Sequence, residues 1–187
     1  MKMKTAFEAR GVRPIRRSAA LALAVLAFGA SLAGRVEADD SGPKGIGDSL
    51  EVIRLDDQHG RTHAIDGSIQ TVIFTRDMDA GDVVRKALSD SEIDGAVFTG
   101  ANALYVSDIS AMPGMVARLI AVPRMRKRPY PMLLDRDGEA TRLFPSRAGA
   151  ATILTLDSLQ IVEVGYADSA AEILRVLGVD GTDKAGD

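Results

Sequence analysis

The sequence predicts an α/β domain in which a central mixed sheet is flanked by helices and preceded by an N-terminal β-hairpin. Three observations carry this. Short β-branched runs, QTVIF at 70–74 and TILTL at 152–156, read as buried strands. Segments with helical spacing of apolar residues lie between them. The resulting order is hairpin, then β-α-β-α-β, then ββα. Strands that alternate with helices pair in parallel with both faces covered, and a closing hairpin adds antiparallel strands.

Taken in order, residues 50–55 (LEVIRL) alternate as a strand. Asp56, Asp57, Gln58, His59 and Gly60 have turn chemistry, and residues 62–65 return as the second strand. The strand 70–74 follows. Residues 80–88 place Val83, Val84, Ala87 and Leu88 on one helical face. ALYV at 103–106 is the next strand. Residues 112–122 read as a helix with Met115, Val116, Leu119 and Ile120 inward, ended by Pro123. Residues 132–134 lead into the turn Asp135-Arg136-Asp137-Gly138 and a short segment to Phe144. Residues 152–156 and 160–165 form a hairpin. A last helix, 169–177, carries the capping-box pair Ser169 and Glu172 and stops at Gly178.

Composition excludes several chemistries. The 187 residues include no Cys, so disulfides, thiol redox chemistry and Cys-ligated metal are impossible. There is no Trp and only 4% aromatic content, which leaves no stacking platform for nucleic acid. Two histidines cannot build a His-rich metal site. No phosphate-binding glycine loop and no G-x-S-x-G elbow occurs. No cofactor and no catalytic residue is expected.

The first 38 residues read as a cleavable signal peptide. A basic segment (1–17) precedes an uncharged, Ala- and Leu-rich run (18–34), and then Val36-Glu37-Ala38 offers a cut after Ala38. Arg16-Arg17 leaves the general and the twin-arginine routes both open. Seven of the 23 basic and two of the 26 acidic residues lie in this segment, so 39–187 carry 16 against 24, a net −8. Such a charge repels nucleic acid. The expected organisation is signal peptide 1–38, leader 39–49, domain 50–177 and frayed tail 178–187. The expected location is the periplasm, with no stable membrane span after cleavage.

Two stretches resemble a known family. LEVIRLDDQHGRTHAIDGSIQTVIF is similar to the opening hairpin, D-x-x-G turn and first core strand of the thioredoxin-like superfamily, in its peroxiredoxin and thiol-oxidoreductase branch. YPMLLDRDGEATRLFPSRAGAATILTLDSLQIVEVGYADSAAEILRVL resembles that branch's P-x-L-x-D-x-x-G, penultimate hairpin and closing helix. The resemblance covers 50–177 and implies a thioredoxin-like scaffold. It also implies where redox chemistry would sit. The family's C-x-x-C positions align with Asp79 and Asp82, and its usual cis-proline aligns with Ala151. Neither sulfur nor proline is present, so redox activity does not carry over.

Two groups of residues are candidates for binding. One is the inherited loop face, with Arg76, Asp77, Asp79 and Asp82 opposite Arg147 and Ala151. Its acidic residues also suit a plainer role: Asp79 as helix N-cap and Asp82 three residues on, both favoured by the helix dipole. The other is the basic run Arg124, Arg126, Lys127 and Arg128, with Arg118 nearby, which suits an anionic partner or a solvated face. His59 and His63, with Asp56 and Asp57, read as a solvated turn. The expected role is a redox-inactive accessory module that binds an unidentified periplasmic protein or an anionic ligand. The alternatives are carboxylate-based catalysis at residues 76–82, or carriage of an anionic small molecule or cofactor.

Overall fold

The computed structural model describes residues 42–90 and 93–179. The expected signal peptide, the start of the leader and most of the expected tail lie outside the described residues. The described residues all fall in one compact unit.

A two-stranded hairpin, β1 (Ile53–Asp56) and β2 (Thr62–Ile65), pairs Ile53 with Ile65 and Asp56 with Thr62. The main sheet is built from β3 (Thr71–Thr75), β4 (Ala103–Asp108), β5 (Leu133–Asp135), β6 (Ala151–Asp157) and β7 (Gln160–Ala167). Its order is β5-β4-β3-β6-β7, with β3, β4 and β5 parallel and β6 and β7 antiparallel. The parallel steps are crossed by helices, as parallel pairing requires. α1 (Met78–Asp90) and the short α2 (Gly95–Gly100) lie between β3 and β4. α3 (Gly114–Val116), a π turn (Ala117–Ala121) and α4 (Val122–Met125) lie between β4 and β5. α5 (Ala170–Val176) is the last helix among the described residues and packs on α1.

Strand side chains alternate between two cores. From β3, Val72 and Phe74 enter one core with Leu133, Leu154 and Phe144, and the Phe74 and Phe144 rings meet edge to face at 5.3 Å. Ile73 enters the other, among Val84, Leu88, Tyr105 and Ile173 beneath the helices. All of these side chains are buried, and at this size burial of both sheet faces holds a domain together without disulfides.

The structure departs from the sequence reading in four places. β1 begins at Ile53 rather than Leu50, because the Leu50 N–H is used by the Leu159 carbonyl. The expected solvated turn is buried at Asp57 and Gln58. Asp57 Oδ1 accepts from the His59 and Arg61 N–H groups, and Oδ2 meets Arg61 and His63. The Gln58 amide donates to the Tyr130 carbonyl and accepts from Met132 N–H, fixing the Pro-Tyr-Pro run to the hairpin. α2 has no counterpart in the periodicity, since six residues bounded by glycines carry no pattern.

The fourth departure is the largest. Residues 114–125 are helical past Pro123, and the expected inward face points outward: Met115 is 76%, Leu119 64%, Ile120 46% and Val116 42% exposed. Ala117 and Val122, five residues apart, face the core instead. The π turn accounts for the continuation through Pro123 and for the five-residue spacing of the buried pair. Proline has no N–H and crowds the carbonyl four residues back, and a π turn's wider spacing relieves that contact while shifting the buried face.

Candidate functional site

Arg76 and Asp77 are the whole link between β3 and α1. Arg76 is fixed on all sides. Nε donates to Asp108 Oδ2 at 3.2 Å, Nη2 to the Thr141 carbonyl at 2.6 Å and Nη1 to Ser146 Oγ at 3.3 Å. Its guanidinium also lies 5.1 Å from the Phe74 ring centre. Asp77 is the residue that caps α1, correcting the expectation for Asp79: Oδ1 accepts from Ala80 N–H at 2.8 Å. Its second oxygen accepts from Gly149 N–H at 3.2 Å. One carboxylate thus satisfies a free N–H of the helix end and ties it to the loop before β6.

Asp79 and Asp82 do not join this constellation. Asp79 is exposed in the first turn of α1, and its side chain makes no hydrogen bond among the described residues. Asp82 pairs with Arg85 one turn along the same helix, at 3.0 Å. Arg147 stacks 4.8 Å from the Tyr166 ring centre and meets Asp168 at 3.6 Å. Ala151 is fully buried as the first residue of β6, paired with Ala167. Beneath the loop, Thr75, Tyr105 and Ser107 form a buried hydroxyl cluster. Burial pushes the Tyr105 phenol up to about 12, so it stays protonated and acts as a neutral hydrogen-bonding group.

The basic run divides in two. Arg126 Nε donates to the Gln58 carbonyl and Arg128 Nη1 to Ser89 Oγ, so both brace the fold. Arg124 and Lys127 are exposed and make no ion pair among the described residues, and the same holds for Arg118. Arg118, Arg126 and Arg136 rim an open groove of about 390 Å³ whose walls include Ile109, Met112 and Val122. Sequence reasoning missed Arg136 and the outward apolar row. The residue spacing 117 to 122, with Pro123 following, was the available signal for the π turn.

No group of three or more His, Cys, Asp or Glu side chains that could hold a metal occurs among the described residues. No helix among them is long and apolar enough to cross a membrane.

No family model matches the sequence, and no curated protein matches it. Among solved structures it is similar to a peroxidoxin of Mycobacterium tuberculosis, at 18% identity and a TM-score of 0.45 over 71% of this chain and 96% of the other. It is also similar to an exposed lipoprotein thioredoxin of Streptococcus pneumoniae, at 14% identity and a TM-score of 0.48 over 68% of this chain and 98% of the other. Strand order β5-β4-β3-β6-β7, the antiparallel β6 and β7, α1 springing from the first core strand and α5 following β7 are the thioredoxin-like arrangement, here in a chain without cysteine.

Proposed function

We propose that the protein is an exported, redox-inactive thioredoxin-like module that acts by binding, and that it binds through residues 114–128 rather than through the inherited loop face. One contrast supports this reading. At the loop face, Arg76, Asp77 and Arg147 spend their polar atoms on partners within the chain. On the helical segment, four large apolar side chains and the cations of Arg118, Arg124 and Lys127 face solvent. Large exposed apolar groups rimmed by charge mark interaction sites.

Export follows from the basic–apolar–small-residue order of residues 1–38. Catalysis by carboxylates at residues 76–82 has weaker support, because Asp77 is engaged as cap and tie while Asp79 and Asp82 do not line the groove at Arg118. Incubation with peroxide, or with a disulfide substrate and a reductant, tests the redox assignment: turnover should equal the protein-free control, and turnover above it overturns the assignment. A photo-crosslinking side chain at Leu119 tests the binding surface.

A further inference from the structure

Residues 109–134 contain five cations (Arg118, Arg124, Arg126, Lys127 and Arg128) and no acidic residue, in a chain whose formal net charge is −3. Within this stretch, residues 114–125 form the helical arm from which Met115, Val116, Leu119 and Ile120 project. Every one of these projecting residues is aliphatic. Protein contacts draw most of their energy from aromatic and arginine anchors seated in central pockets. Here the apolar residues project from a helix, and the arginines flank them. An aliphatic face with flanking Arg and Lys is instead the pattern of a helix that lies in a membrane interface.

We propose that this arm docks on an anionic lipid bilayer surface. Met115, Leu119 and Ile120 enter the boundary between headgroups and acyl chains, and Arg118, Arg124 and Lys127 pair with lipid phosphates. The arginine stems let the guanidinium groups stay at headgroup level while their neighbours go deeper. Arg136 lines the same groove as Arg118. The attachment is peripheral and salt-sensitive, since its cations act within a Debye length of the surface. The inference rests on the reading of the arm as the binding surface.

Sedimentation of residues 38–187, the compact unit that holds both cores, with lipid vesicles tests it. Vesicles of phosphatidylcholine containing a quarter phosphatidylglycerol should carry the protein down, pure phosphatidylcholine vesicles should not, and added salt should release it. The double variants Leu119→Gln/Ile120→Gln and Arg118→Glu/Arg124→Glu should each weaken binding at least about tenfold. Their melting curves should stay unchanged, because all four positions are exposed. Equal binding to both vesicle types, or variants that bind like the parent, would overturn the proposal. Absence of vesicle binding with a protein adduct at Leu119, or with a self-associated form lost in Leu119→Gln, overturns the lipid assignment and keeps the arm. Absence of both vesicle binding and any adduct at Leu119 overturns the two together.

Discussion

The Asp77 carboxylate joins the tip of α1 to the Gly149 N–H, 72 positions later in the chain. The same carboxylate accepts from Ala80 N–H, so one side chain holds the helix start and the loop before β6 together. The partial positive charge of a helix N-terminus favours a negative group at this position.

Loss of this carboxylate should destabilise the fold. Asp77→Ala removes a cap and a tertiary hydrogen bond together, at a cost of about 1–2 kcal/mol. Asp79→Ala, which breaks no hydrogen bond, should change stability by less than about 0.5 kcal/mol. Urea denaturation of the two variants separates them, and equal losses would return the capping role to Asp79.

The field at the helix tip can be read directly with sulfur. Asp77→Cys places a thiol at the N-terminus of α1, and its alkylation rate should rise at lower pH than that of Lys86→Cys, an exposed position farther along the same helix. The midpoint should fall at least about one pH unit below the ordinary thiol value near 8.5. Identical midpoints would show that position 77 does not occupy a thiolate-stabilising site.

Asp57 makes stability depend on acid. Burial pushes its carboxyl pKa up, but the Arg61 and His59 N–H groups and the His63 and Arg61 side chains outweigh this and hold it well below the usual carboxylate range. A pKa lowered in the folded state stabilises the fold above the unfolded value, near 3.9, and that stabilisation is lost as pH falls toward the folded value. Asp57→Asn should therefore cost on the order of 2–4 kcal/mol at pH 7, with the gap to the parent narrowing below about pH 4. Melting temperatures across that range check it, and a gap constant with pH would contradict it.

Gly138 closes the turn that carries Arg136. Its φ is +77°, and an added Cβ would stand 2.7 Å from Ser110 Oγ. Gly138→Ala should cost about 1–3 kcal/mol through left-handed strain and the displaced serine. A denaturation midpoint equal to the parent's would show that this loop relaxes freely.

The sequence made the sheet legible where side-chain periodicity maps directly onto burial. Val72, Ile73 and Phe74 announce a buried strand, and Ser169 with Glu172 announces the start of α5: the Glu172 carboxylate accepts from the Ser169 and Asp168 N–H groups. Periodicity failed on the arm, because an apolar row at helical spacing reports a face without reporting what covers it. Across the π turn the buried positions are Ala117 and Val122, and the row lies outside. Turn chemistry misled at Asp57 and Gln58: the Gln58 amide is satisfied by distant backbone that local sequence does not reveal, while buried Asp57 draws its partners from its own hairpin. At the candidate site the acidic cluster was visible as residue types. Which of its members reached across to Gly149 depended on β3 ending at Thr75, a boundary one residue past the apparent run.

Site-specific photo-crosslinking in the native cell compares the two surfaces most directly. A photoreactive side chain is placed at Leu119 in one strain and at Asp79 in another, both exposed positions. Binding through the arm predicts adducts from Leu119 and none above background from Asp79. Adducts from Asp79 alone would contradict the account and return the function to the loop face.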